Sequence, residues 1–241
     1  MLVKKPSFQR FVDLIRLQGE IENKEALLTV SKDSIVTFAI SNNKAVALKG
    51  VLQGKFAEFG ELGIDNLPLL SKFLTLFTDT IKVTKDKNKL ILSEKDLEVS
   101  CVLRSPEYIV NNKVNNVLLD DKKFTELKDT IIKDASKFIL PKSVLAKILV
   151  YVGTLNSSEF RLVGKEKELT LSTADGDNEI LATFKIDSEL KFNIKLGRPI
   201  LNVLSTIGSD VKVIAKDKST VYLNLEAEDI SIELLIAPLK D

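Results

Sequence analysis

Few side chains in this sequence could do covalent or proton-transfer chemistry. Its 241 residues include no histidine and one cysteine, Cys101, set in an alternating run where a small buried apolar side chain fits. Without imidazole the usual proton shuttle and the commonest metal ligand are missing, and Ser/His/Asp, Cys/His and zinc patterns are excluded. Gly50-Val51-Leu52-Gln53-Gly54-Lys55 has the outline of a phosphate loop, but its glycine spacing is one residue short and Phe56 stands where Ser or Thr is required. Asp175-Gly176-Asp177 lacks the ligand series of a calcium loop and reads as a hairpin turn. Asn156-Ser157-Ser158 is a formal glycosylation sequon, without use in an intracellular chain. No catalytic constellation remains, no cofactor or metal is expected, and the sequence reads as that of a non-enzyme.

The remaining chemistry is that of cations. Lys and Arg number 35 against 34 Asp and Glu, so no large net charge draws nucleic acid from a distance, and any such contact depends on local placement. The elements that would do the placing follow a repeating pattern of one short amphipathic helix, then alternating strands. In the first helix, residues 7–18, Phe8, Phe11, Val12 and Ile15 form the apolar stripe, while Gln9, Arg10, Asp13 and Arg16 lie opposite. Strands are expected at 26–30, 35–40, 45–52 and 55–60. A second helix starts after Asp65-Asn66 with Pro68 in its first turn, and strands follow at 80–84, 89–93 and 97–103. The third helix, about 142–152, precedes strands at 159–163, 168–172 and 180–186; the fourth, about 198–207, precedes 211–215, 220–226 and 230–236.

Successive helix starts are separated by about 60, 76 and 55 residues, so the middle interval carries a connector's worth of extra chain. This yields an N-terminal domain at 1–110, a connector at 111–129 rich in Asn, Lys and Asp, and a C-terminal domain at 130–241. The first 18 residues mix Lys4, Lys5, Arg10, Asp13 and Arg16 with apolar residues, unlike a secretory signal, and no run reaches the roughly 18 to 20 apolar residues that span a bilayer. The expectation is a soluble intracellular protein with no membrane partner.

The stretch Ile232-Glu233-Leu234-Leu235-Ile236-Ala237-Pro238-Leu239-Lys240 resembles the last strand and short Ala-Pro tail of archaeal and eukaryotic sliding clamps of the proliferating cell nuclear antigen (PCNA) type. Leu190-Lys191-Phe192-Asn193-Ile194-Lys195-Leu196, running into the helix from Arg198, resembles the strand and helix before that tail. Gly63-Ile64-Asp65-Asn66-Leu67 through Phe77, with the strands at 81–86 and 89–93, resembles the family's second helix and following hairpin. The size is also that of the trimeric clamps of tailed bacteriophages, which suggests a viral source and the cytoplasm of its host.

The resemblance implies an α+β DNA clamp fold of two similar domains. Each holds two helix-plus-antiparallel-strand repeats, with the helices on one face of curved sheets. It further implies a head-to-tail homotrimeric ring that encircles double-stranded DNA without sequence specificity, tethers a DNA polymerase and other DNA-acting partners, and is placed by a clamp loader. The cations that would then face DNA are Lys4, Lys5, Arg10, Arg16, Lys72, Lys142, Lys147 and Arg198; an ordinary solvated helix face accounts for any one of them alone. By position, the family's pocket for partner peptides would fall on Ile40, Ala47, Leu118, Leu119, Ala237 and Pro238. Leu118 and Leu119 could equally pin the connector to a sheet. Ring closure would pair edge strands at about 106–115 and 178–186. Two other readings stay open: a monomeric clamp-fold processivity subunit that binds DNA directly through the basic helix faces, and a duplicated scaffold protein with no DNA role.

Overall fold

The computed structural model describes residues 1–17, 22–41, 45–112, 120–155, 157–205 and 209–239. The first half runs β1 (Leu2–Lys4), α1 (Lys5–Arg16), β2 (Ala26–Val30), β3 (Ser34–Ile40), β4 (Val46–Gln53), β5 (Gly60–Ile64), α2 (Leu67–Leu74), β6 (Thr80–Asp86), β7 (Lys89–Glu94) and β8 (Leu97–Arg104). Two helices follow, α3 (Pro106–Asn112) and α4 (Asp121–Ile132). The second half runs β9 (Ser136–Leu140), α5 (Lys142–Thr154), β10 (Glu159–Asp175), β11 (Asn178–Gly197), α6 (Ile200–Ser205), β12 (Val211–Ala215), β13 (Val221–Ala227) and β14 (Ile230–Ile236).

Local chemistry sets the helix ends. Pro6 occupies the first turn of α1, where a missing N–H costs nothing, and Leu17 stops the helix in the left-handed region at φ 52°. At α2 the Asn66 side-chain oxygen accepts from the Leu69 N–H at 2.9 Å, and Pro68 again sits in the first turn. Glu94 closes the other end of this unit. Its carboxylate accepts from the Thr78 N–H at 2.8 Å, the Thr78 hydroxyl at 2.8 Å and the Asp79 N–H at 3.2 Å.

Among the described residues, twelve strands make one antiparallel sheet in the order β1-β6-β7-β8-β5-β2-β3-β4-β14-β13-β12-β9. Its central joint pairs β4 with β14 over seven residues, from Ile230 opposite Leu52 to Ile236 opposite Val46, and so links the first half of the chain to the last strand. Side chains alternate strictly across it. Val46, Leu48, Leu52, Ile232 and Leu234 point to one face, where the apolar stripes of α1, α2, α5 and α6 bury in one continuous core. Phe38, Ile40, Ala47, Ile214, Tyr222 and Leu235 point to the other and meet Phe124 and Ile131 of α4 in a separate cluster. Gly50 lets α1 lie directly on the joint, since a Cβ there would come within 2.9 Å of Ile15 Cγ2.

β10 and β11 pair antiparallel along their length, with a register break between Glu166 and Glu168. A straight strand would hold residues 159 and 173 about 45 Å apart, yet the Thr173 hydroxyl donates to the Glu159 carbonyl at 3.1 Å. The ribbon therefore doubles back near Glu166, whose φ is 54°. Its four limbs lie in the order 190–197, 159–166, 168–175 and 178–185, which repeats β5-β2-β3-β4. The hydroxyl bond repeats too: Thr37 donates to the Leu27 carbonyl at 2.9 Å. Where Leu103 and Arg104 of β8 meet β5, the second half has the Leu239 N–H on the Lys195 carbonyl at 2.8 Å. Each half is thus strand, helix, four strands, helix, three strands.

Three expectations need correction. Residues 55–59 form no strand: the Phe56 N–H bonds the Lys32 carbonyl at 2.8 Å, the Phe59 carbonyl accepts from the Lys85 ammonium at 3.1 Å, and pairing resumes one segment later in β5. Residues 106–112, expected as an edge strand, are helix α3, and the preceding strand β8 ends at Arg104. The connector, expected only as a link rich in Asn, Lys and Asp, is helical over 121–132, because Asp120 caps it by accepting from the Lys123 N–H at 2.8 Å and Phe124 and Ile131 give it a buried stripe.

Candidate nucleic-acid interface and outer groove

The cations selected from the sequence divide by environment. Lys72 on α2 and Lys142 and Lys147 on α5 are exposed on the helix-bearing side, and Lys4 is exposed at the end of β1. Lys5 is half-buried at the start of α1, its N–H on the Asp79 carbonyl at 2.6 Å. Arg10 is half-buried and lines a narrow cleft with Leu14, Ser209, Leu225 and Ile232, where α1 meets the end of the second half. Arg16 is held by Glu22 at 2.6 Å, so its charge is partly neutralised within the protein. Arg198 is half-buried just before α6, its N–H on the Ser158 carbonyl at 2.8 Å. Asp13, the acid that opposes the cations of α1, turns sideways: it accepts from the Ser71 hydroxyl at 2.6 Å and from the Gln9 amide at 3.0 Å. That pairing locks α1 to α2 and spends the acid between them, which leaves the outward helix surface biased toward positive charge.

On the opposite face, Ile40 and Ala47 are both half-buried against the Phe124 cluster. Ala237 continues the β14 joint, its N–H on the Ala45 carbonyl at 2.8 Å, with Ala237 exposed and Pro238 half-buried. Leu118 and Leu119 lie outside the described residues. Sequence reasoning missed the residues that dominate this face. Phe124 is 1% exposed and tilts against Phe38 at 6.2 Å between ring centroids. Lys128 bonds Glu233 at 2.5 Å and lies over the Tyr222 ring at 4.8 Å, while the Tyr222 hydroxyl donates to the same carboxylate at 2.7 Å. Burial, then the hydrogen bond to Glu233, push the Tyr222 phenol well above its ordinary range. The signal was present in Phe124 and Ile131, seven residues apart on one helical stripe, but a polar composition read as a linker masked it.

Elsewhere, Arg104 pairs with Asp65 at 2.7 Å, and that bond raises its guanidinium pKa further. Cys101 is buried in β8, and desolvation followed by the Asp65 charge pushes its thiol up to about 11. Among the described residues no group of acidic or thiol side chains could hold a metal ion, and no helix is long and apolar enough to cross a membrane.

The topology and length can be set beside solved structures. PCNA from Thermococcus kodakaraensis superposes with a TM-score of 0.76 over 99% of this chain and 99% of that one, at 15% identity. The chain has the PCNA sliding-clamp fold. The PCNA of Entamoeba histolytica gives 0.76 at 15% identity, covering 98% of this chain and 96% of its own. A. fulgidus PCNA, solved with the C-terminal region of FEN-1 bound, gives 0.76 at 11% identity over 100% of this chain and 98% of that one. No protein-family model matches the sequence, and no curated protein does. The PCNA likeness therefore resides in the fold, and the α+β architecture with helices on one side of antiparallel sheets is that of these clamps.

Proposed function

We propose that the chain is one subunit of a DNA sliding clamp, in which three copies close head to tail into a ring around double-stranded DNA. The observation that carries this reading is the pair of open strand edges. Inside the chain, β4 of one repeat is joined to β14 of the next. The repeat equivalents are residues 178–185 and β8, and among the described residues neither has a strand on its outer edge, apart from the contact of Leu103 and Arg104 with β5. An open edge is a row of unmet backbone donors and acceptors. The joint that already exists within the chain supplies the geometry for meeting them between copies, as a heterologous contact that closes by rotation. Val102 and Leu181 on these edges are 47% and 68% exposed, a cost in a monomer and a gain in a ring.

In that ring the helices with Lys72, Lys142 and Lys147 face the hole. A chain of net charge +1 then holds DNA by topology, with loose phosphate contacts rather than tight binding. The two-domain division at 1–110 and 130–241 belongs to this reading, as do a DNA polymerase as tethered partner, a clamp loader, an intracellular location and the lack of an enzymatic activity.

Light scattering over a range of concentrations tests it. The 26.8 kDa chain should approach about 80 kDa as a ring, and should be retained on nicked circular DNA while running off linear DNA. A persistent monomer that binds linear DNA with a steep salt dependence would replace the ring with direct binding.

A further inference from the structure

The pairing of β10 with β11 contains a juxtaposition that costs the fold stability. Arg161 lies directly opposite Lys195, and four residues further along Lys165 lies directly opposite Lys191, so two cation–cation rows share one face of the ribbon. Like charges opposed across antiparallel strands are destabilising. The core side of these limbs is taken by Phe160, Phe192 and Ile194, packed in one cluster with the stripe of α5, so the four cations point away from the helices. The first half has no such feature. Gly63 and Gly197 hold equivalent places, opposite Leu27 and Glu159, which makes Thr29 and Glu61 the counterparts of Arg161 and Lys195. β5 begins at Gly60, so the Lys165–Lys191 row has no counterpart.

Little inside the chain answers these charges. Glu159 takes Lys195 at 2.6 Å, and Arg161 donates to the Asn193 side-chain oxygen at 3.3 Å. Lys165 and Lys191 are exposed and, among the described residues, neither is ion-paired. The acids of the bend, Glu166, Glu168 and Glu189, are exposed and stand beyond the rows. The turn between β12 and β13 borders the same limb of β11: its Lys218 N–H bonds the Asn193 carbonyl at 3.1 Å, and its acid, Asp217, accepts from the Asn193 N–H at 3.0 Å. That turn adds the cations Lys216 and Lys218. Lysines on an edge strand can serve simply to block strand addition, but the limb carrying Arg161 and Lys165 is interior, with 190–197 on one side and 168–175 on the other.

We propose that this face of β10 and β11 binds the phosphate backbone of duplex DNA, as a site separate from the cations of the helix layer. Phosphates seated on the rows relieve a repulsion that the fold otherwise bears. The rows are four residues apart, about 13 Å, close to the roughly 12 Å width of a duplex major groove, so the phosphates on the two sides of one groove can each meet a row. Between the rows lie only Val163 and Asn193, both half-buried. The face therefore lacks the aromatic or large apolar anchor on which a protein partner would depend. In the ring reading this face is on the outside, so the duplex it holds is a second segment and not the one in the hole; the charge rows themselves do not depend on the ring.

The probe is a short fluorescein-labelled duplex, followed by anisotropy across a salt series against the wild type, Lys165→Gln/Lys191→Gln and, for comparison, Lys142→Gln/Lys147→Gln on the helix side. The first pair should weaken binding by roughly tenfold at low salt and lower the salt slope by about 2, a larger change than the second pair makes. Lys191→Gln should also raise the urea midpoint at low salt, and the gain should fade at high salt, because the repulsion it removes is screened. Affinity and slope that only the helix-side pair alters overturn the proposal, as does a polyglutamate chain bound more tightly than the duplex, which would assign the face to an acidic protein. An unchanged urea midpoint overturns it too, since the strained row on which the site rests would be absent. Light scattering keeps the two readings apart: a persistent monomer counts against the ring, while titration of that monomer with the duplex still decides this site.

Discussion

Replacing Gly50 by alanine tests how the helix layer is seated on the strand joint. Gly50 lies opposite Ile232 in the β4–β14 register, and both are covered by α1. The added Cβ would sit 2.9 Å from Ile15 Cγ2, 3.2 Å from Phe11 Cε2 and 3.3 Å from Ile232 Cδ1. Comfortable carbon contacts are about 3.5–4.0 Å, so α1 must retreat by about 0.6 Å or its side chains must leave their rotamers. Phe11 and Ile15 are 0% and 1% exposed, which gives them no solvent side to move into. Overpacking of this kind costs about 1–3 kcal/mol, while the loss of glycine's unfolded-state freedom returns about 0.4–1 kcal/mol. The net expectation is a loss of about 1–2 kcal/mol, or roughly 3–6 °C in Tm for a chain of this size. Urea unfolding followed by far-UV dichroism, at one fixed protomer concentration, should show a lower midpoint with an unchanged slope. An unchanged or raised midpoint would refute the close seating of α1 on the joint, and with it the account of why glycine stands there.

Gly153, near the end of α5, has open space around its missing Cβ, so Gly153→Ala should raise the urea midpoint, by up to about 0.5–1 kcal/mol. Cys101 ordinarily titrates at 9.0 and is pushed up to about 11 by burial; between those values the folded chain keeps a proton that the unfolded chain has released. Stability should therefore fall as pH rises through that window, and Cys101→Ala should flatten the fall when urea midpoints at pH 8 and 10 are compared. The Thr78 N–H and hydroxyl hold Glu94 below the usual carboxylate range, so its contribution is present above the ordinary carboxylate pKa and is lost on acidification. Glu94→Gln should narrow the difference between urea midpoints at pH 6 and pH 3. Leu181→Asp and Val102→Asp, both at exposed positions on the open edges, should lower the mass seen by light scattering while leaving the dichroism of the subunit intact.

Periodicity carried much of the fold and little of the outer groove. The strands at 26–30, 211–215 and 230–236 appear at the expected bounds because each buries alternate residues against one core. The segment 55–59 carries Phe56 and Phe59 but no strict alternation, and the Phe56 N–H and the Phe59 carbonyl are met by the Lys32 carbonyl and the Lys85 ammonium, a tertiary arrangement that no local pattern encodes. Of the helix cations Lys72, Lys142 and Lys147 are exposed, whereas the Arg16–Glu22 pair needed the fold to bring a loop back to the helix end. For α4 the obstacle was composition. Lys122, Lys123, Lys128 and Asp129 made the segment look like a solvated linker, and only the floor formed by β3, β4, β12, β13 and β14 turns its Phe124 and Ile131 into anchors.

The two kinds of joint are unequally covered, which bears on where a ring would open. At the β4–β14 joint the outward side chains include Ala47 and Leu235, and α4 covers them. At the edges proposed to meet between subunits, the outward positions are Glu98, Ser100 and Val102 on β8 and Glu179, Leu181 and Thr183 on β11, all exposed. Such a polar strip has no need of a covering helix, and its two apolar members are enough for a weak strand-to-strand seam but not for an aromatic anchor. A trimer would then alternate three helix-covered joints with three plain ones, and the plain ones, with the smaller apolar contact, would be the first to part on dilution.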